Sequence, residues 1–337
     1  MKRMGAGVIG YGRMGSQHAA VYARVGGAEL IGVCDPDPAR LEEARRNLEG
    51  SSPLLLTDDP GELLADERIE AVSICAPESL HRDPVERAIR AGRHVLLEKP
   101  LADSYAEALR IYRMARGYPK KFMVAHLLRF DSRYAEARRR IRAGDVGRVS
   151  YVRMRRSSVI AGPRRYAGTV QPEFHLAVHD IDLLHWLTGD RVERVYAVGR
   201  ADVLSPLPTK DYVLSLLTCT GGVAAQMEHS WIMPELFPPK LDARAEIMGE
   251  RGVLEIDLRN QGLSLFTSDR AEVVDTSYFV DGGAEERGAE EGGAEAGVAK
   301  VFPGMPSGSL VTRSGRSWPA SRAARRSRCP PATRSRP

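Results

Sequence analysis

The stretch "AGVIGYGRMGSQHAAVYARV", residues 6–25, decides the fold. It opens with a short apolar run, turns through Gly10-Tyr11-Gly12-Arg13-Met14-Gly15, and continues with helical character. A G-x-G-x-x-G turn between a strand and a helix is the fingerprint of a dinucleotide site. Gly10 permits the tight turn, Gly12 lets the backbone approach a pyrophosphate, and Gly15 allows close packing of helix on strand. The phosphates would rest on the helix N-terminus, where unpaired N–H groups and the helix dipole favour an anion.

Working outward, a second apolar run, "ELIGVCD" (29–35), ends in Asp35, twenty residues after Gly15. A carboxylate there accepts the hydroxyls of the adenosine ribose and repels a 2′-phosphate, which favours NAD. Arg40, nearby in sequence, keeps NADP open as an alternative. Further apolar runs at "LLLT" (54–57), "AVSICAP" (71–77), "HVLLEKP" (94–100) and "FMVAHLL" (122–128) alternate with helical stretches at 81–92 and 104–117. That alternation predicts a doubly wound parallel sheet.

From about residue 147 the rhythm changes. Longer alternating runs at 147–158, 192–203, 211–232 and 241–258, with turns at Gly221-Gly222 and Glu250-Arg251-Gly252, read as strands of one mostly antiparallel sheet. The expected class is α/β: an N-terminal Rossmann sheet, then an α+β domain with a large open sheet. The expected domains are residues 1–122 for the nucleotide, 123–280 for substrate and oligomerisation, and 281–337 as a low-complexity tail.

The chain has 337 residues, 43% of them apolar and 28% charged, enough for two ordinary cores. It contains no apolar run of the roughly 18 residues that a membrane helix needs. The N-terminus passes straight into the glycine turn and has no signal-peptide core. Cys34, Cys75, Cys219 and Cys329 are widely spaced and form no C-x-x-C pair, which points to the cytoplasm. The net charge of +5 does not point to nucleic acid, because eight arginines in residues 301–337 more than account for it. That tail reads either as a disordered basic segment or as the product of a frameshift.

The other informative stretch is "EFHLAVHDIDLLHWLTG", residues 173–189, which reads as one helix. At about 100° per residue His175 and His179 share a face, Asp182 lies near them and His185 points away. The i, i+4 spacing alone suits metal binding, acid/base chemistry or packing.

The order of these pieces settles more than any one of them. With "APESLH" at 76–81, Glu98-Lys99-Pro100, "LLRF" at 127–130 and "AVHDIDLLHWLTG" at 177–189, the chain resembles the Gfo/Idh/MocA family of sugar and cyclitol oxidoreductases. The resemblance implies an NAD(P)-dependent dehydrogenase acting on a secondary alcohol of a sugar, cyclitol or sugar derivative, assembled as a homodimer or homotetramer. It gives Lys99 a place beside the nicotinamide and the substrate hydroxyl, makes Pro100 cis, and makes His179 the proton acceptor. It puts Glu98, Pro77 and His81 beside the cofactor. His175 stands where many members carry an aspartate, so it is taken as a third member of the catalytic group. It is also the place where an impaired, nucleotide-sensing relative would differ. An NAD-dependent glycosidase of the same family type is the other alternative. No metal is expected, since no third ligand has a recognisable motif. Arg129, Tyr166 and Trp231 are the candidate substrate contacts, Asp182 is expected to be structural, and His185 and Trp186 to pack the helix.

Overall fold

The computed structural model describes residues 3–275 except 50–52, 167, 238–239, 259–261 and 268–270. The expected tail, 281–337, lies outside the described residues. The first sheet has six strands, β1 (Met4–Ile9), β2 (Ala28–Cys34), β3 (Leu55–Thr57), β4 (Ala71–Ile74), β5 (His94–Leu97) and β6 (Phe122–Val124). They are all parallel, in the order β3-β2-β1-β4-β5-β6. Gly5 to Ile9 are all buried, as expected of a parallel strand covered on both faces. The order in which strands are added reverses between β1 and β4, and the crevice beyond their carboxyl ends is where such sheets bind ligands.

Helices α1 (Arg13–Tyr22), α2 (Pro38–Asn47), α3 (Pro60–Ala65), α4 (Arg82–Arg90) and α5 (Tyr105–Ala115) connect these strands. Their starts are written in the sequence. Asp37 and Asp59 accept hydrogen bonds from Ala39 and Gly61 backbone N–H groups ahead of a proline, and Ser104 accepts from Glu107 N.

The second sheet contains β7 (Val149–Val159), β8 (Val192–Arg200), β9 (Tyr212–Cys219), β10 (Ala224–Met233), β11 (Leu241–Gly249), β12 (Gly252–Asp257), β13 (Gly262–Thr267) and β14 (Ala271–Asp275). Its order is β14-β13-β12-β11-β7-β10-β9-β8, and only the β7–β10 pair is parallel. Helices α6 (Ser132–Ala143) and α8 (Val178–Thr188) cover one face, with the short α7 (Ala161–Arg165) between them in sequence. Tyr134 and Ala137 of α6 and Leu183, Leu184 and Leu187 of α8 pack on Val152, Met227, Ile247 and Leu254 of the sheet. Both helices stop at a glycine with positive φ, Gly144 at +79° and Gly189 at +75°.

The stretch predicted as one helix over 173–189 is two. A π-helical turn covers Glu173–Ala177 and then gives way to α8. Its wider turn breaks the regular 100° stepping, so side chains four residues apart no longer stack as they do in an α-helix.

Candidate active site

The glycine turn has the shape its sequence requires. Gly10 sits at φ +89°, and a Cβ there would lie 2.8 Å from the carbonyl carbon of Cys75 in the loop after β4. A Cβ on Gly15 would lie 1.7 Å from the Gly10 carbonyl oxygen, so α1 rests directly on the turn. Around Gly12 a Cβ would meet nothing within 4 Å, and Gly12 is the N-cap of α1 with no side chain capping it. The turn therefore leaves open space beside uncapped N–H groups, which fits a dinucleotide pyrophosphate.

Asp35 closes this cradle. Its Oδ2 accepts from Tyr11 N at 2.6 Å and its Oδ1 from Asp37 N at 2.9 Å. A carboxylate offers about four acceptor sites, so capacity remains for ribose hydroxyls. Arg40 pairs with Glu43 at 2.8 Å, and both side chains are exposed. Tyr11 contributes backbone only. Its ring is buried in the core beside Val8, Leu30 and Val33. Met14 is half-buried and Arg13 exposed, and the Arg13 charge is felt at both Lys99 and His175.

Lys99 follows β5, and its peptide bond to Pro100 is cis. Its Nζ donates to the backbone carbonyl of His175 at 3.4 Å. Burial pulls its pKa down, partly offset by the carboxylates of Glu98 and Glu78. Glu98 is 4% exposed, accepting from Lys99 N at 3.1 Å and facing His18 Nε2 at 3.2 Å.

Opposite lie the two histidines. His175 is gripped by aromatic rings, with Tyr166 at 5.1 Å and Trp231 at 5.9 Å between centroids. Burial, then the charges of Lys99 and Arg13, bring its pKa down to about 4. His179, half-buried, is held well below the ordinary histidine value by burial and then by Lys99 and Arg156. Both are neutral imidazoles at neutral pH. The contact that His175 makes with Lys99 runs through its main chain and not through its side chain.

Several predicted residues sit differently from the sequence reading. Trp231 is 1% exposed with its indole N–H spent on Lys210 O at 2.6 Å, so it backs His175 from the core and presents no free polar atom to a polyol. Arg129 is tied to Asp182 through both carboxylate oxygens, and Asp182 also lies 3.6 Å from His126 Nδ1. His81 is 1% exposed with its ring nitrogens turned to Ala76 O (3.0 Å) and Leu101 O (3.3 Å). It staples the loop begun by Pro77 to the segment after Pro100. His185 accepts from Val192 N, and Trp186 lies under the Arg138 guanidinium at 4.4 Å.

Sequence reasoning missed two groups. His126 is close enough to feel the charge of Lys99 and for its own charge to be felt at His179, and burial lowers its pKa. Beneath His179, Asp180 (2% exposed) receives Arg156 Nη2 at 2.6 Å and His229 Nε2 at 2.9 Å. The parallel register pairs Arg156 with His229, which places both on the same carboxylate. The signal for this group was an arginine and a histidine on inward-facing positions of alternating strands. Among the described residues no cluster of three His, Cys, Asp or Glu is arranged to hold a metal.

A family profile described as "Oxidoreductase family, NAD-binding Rossmann fold" matches residues 4–126, and the Gfo/Idh/MocA C-terminal domain matches 134–255. Among similar proteins, the scyllo-inositol 2-dehydrogenase (NAD(+)) of Bacillus subtilis strain 168 is 30% identical over 275 residues, covering 77% of this chain and 76% of that protein. Myo-inositol dehydrogenase Hyg17 of Streptomyces leeuwenhoekii is 30% identical over 258 residues, covering 75% and 76%. The solved UDP-N-acetylglucosamine 3-dehydrogenase GnnA of Acidithiobacillus ferrooxidans is 29% identical with a TM-score of 0.70, covering 82% and 83%.

Proposed function

Because the chain belongs to the Gfo/Idh/MocA oxidoreductase family, whose nucleotide half is an NAD-binding Rossmann fold, we propose that it moves hydride between nicotinamide and a secondary alcohol of a cyclitol or sugar. A free inositol is the first substrate to try. The observation that carries this reading is the Lys99 ammonium, which rests on the His175 carbonyl, is felt at two neutral histidines and itself feels Arg13 of the glycine turn.

The nicotinamide, when bound, supplies the hydride acceptor. The turn from Gly10 to Gly15 and the first N–H groups of α1 would hold the pyrophosphate, and Asp35 the adenosine ribose, which favours NAD over NADP. Taking hydride from a carbinol carbon requires that the hydroxyl proton leave as well. His179 is the acceptor, kept uncharged by burial and by Lys99. Lys99 opposes the negative charge that develops on the oxygen, in a site where water is largely excluded and charge counts for more. His175 lines the pocket with an uncharged ring, while its carbonyl holds the ammonium.

The test is NADH formation across inositols, hexoses and UDP-hexoses, with NAD and NADP side by side. The His179→Ala variant should lose about 10²–10⁴-fold in kcat. Unchanged turnover in that variant would overturn the assignment. Sugar release without NADH accumulation would mark a glycosidase instead.

Two further features support assembly and location. The strand β8 exposes Val195 at 59%, Tyr196 at 69% and Val198 at 46%, and β9 adds Leu214 and Leu216. An apolar sheet face and edge of this kind calls for a second copy of the chain. Cys34, Cys75 and Cys219 are free, which supports a reducing, cytoplasmic compartment. Among the described residues no helix is long and apolar enough to cross a membrane.

A further inference from the structure

A chain of buried polar side chains runs behind the Glu98-Lys99 step, and the chemistry above does not use it. His18 of α1 places Nε2 3.2 Å from Glu98 Oε1 and Nδ1 3.0 Å from Ser73 Oγ. Ser73 in β4, itself 0% exposed, is also 2.7 Å from the phenol oxygen of Tyr22. The second carboxylate oxygen of Glu98 takes the backbone N–H of Lys99. An ionised carboxylate only accepts, so the His18 Nε2 must carry its hydrogen toward Glu98 in either charge state of the ring.

We propose that His18 is a positioning residue for the hydride-transfer reaction, fixing the Glu98 carboxylate and, through it, the backbone and the ammonium of Lys99. This rests on the reading of Lys99 as the group facing the substrate oxygen. Three elements of the nucleotide half meet at the His18 ring: α1 through His18 itself, β4 through Ser73 on Nδ1, and the segment after β5 through the Glu98 carboxylate on Nε2. A carboxylate this deeply buried is costly to leave unpaired. Without the His18 donor it would swing away from Lys99, and its support for the ammonium would be lost.

The charge balance at Lys99 makes that loss measurable. Glu98 and Glu78 favour the charged amine, whereas burial, Arg156 and Arg13 disfavour it. The neighbouring rings of His126, His175 and His179 are uncharged at neutral pH and cannot replace Glu98. Removing the His18 hydrogen bond should therefore move the Lys99 titration to lower pH.

The experiment uses the full chain without cofactor. The pH dependence of Lys99 acetylation by acetic anhydride is read by peptide mass spectrometry in wild type, His18→Ala, His18→Asn and His18→Gln, with circular dichroism as the check on folding. In His18→Ala the midpoint should fall, and kcat should drop on the order of tenfold or more. His18→Asn should behave like His18→Ala, because its amide reaches Ser73 but stops short of Glu98. It decides the matter if His18→Ala does not fold. His18→Gln, whose amide N–H reaches Glu98, should recover both. A Lys99 titration that is the same in wild type, His18→Ala and His18→Asn overturns the proposal and leaves His18 as glue between α1 and the sheet. Unchanged kcat in Lys99→Met would overturn the reading of Lys99 itself, whatever the His18 variants do.

Discussion

At position 175 stands an imidazole whose environment keeps it uncharged down to about pH 4. A base must be neutral to accept a proton, so depressed values at His175 and His179 let activity persist as pH falls below 6.5. The acid limb of kcat/KM should accordingly lie below the ordinary histidine value, and His175→Asp should move it upward by placing near Lys99 a carboxylate that offsets the charge depressing His179. The same shift governs stability. Between about pH 6.5 and 4 the unfolded chain binds a proton at position 175 that the folded chain refuses. Stability therefore falls as pH drops through that window. Melting temperature followed from pH 7 to 4 should decline, and less steeply in His175→Phe. At this scale the sequence was legible where residue type and motif agree, as at Gly10, Asp35 and Lys99. It was less so for Trp231, Tyr11 and Arg129, because an indole, a phenol or a guanidinium serves a core or an ion pair as readily as a ligand. Only tertiary contacts decide between those uses.

Among the elements, α8 shows what periodicity conceals. The alternating pattern marks β7 and β10 but not that they run parallel, side by side, with Arg156 and His229 in register. That pairing arises from chain crossing, which no local pattern records. It creates the buried group under α8, where burial alone would raise the Asp180 pKa but Arg156 and His229 bring it down to about 2. Tyr134 of α6 bonds the same arginine, so four elements, β7, α8, β10 and α6, are pinned to one charge pair. Asp180→Asn leaves the guanidinium buried without its counter-ion and should cost about 3–5 kcal/mol in denaturant melts. Loss below 1 kcal/mol would show that the pair is dispensable. The strands β13 and β14 carry a weak signal, since the alternation Leu263-Ser264-Leu265 is the clearest mark of them. The π-helical turn before α8 has no sequence signature that we can identify.

For the molecule as a whole, the two sheets follow from the alternation of runs, but the uneven dressing of the second sheet does not. Helices α6 and α8 cover one face of its middle strands, and the strand β8 at its border is left exposed along nearly its whole length. The full chain should therefore run as a dimer or larger in light scattering, and Leu214→Glu with Leu216→Glu should convert it to monomer without unfolding it. A wild-type monomer at micromolar concentration would refute that. The ammonium of Lys99, just past the end of β5, rests on the main-chain carbonyl of His175 in the π-helical turn before α8. A main-chain oxygen is inherited with the backbone and not with the codon. Mutation can rewrite the side chain at position 175, and with it the pocket wall, while the anchor for the ammonium is retained. Divergence toward new substrates at this site need not begin by dismantling the group that handles charge.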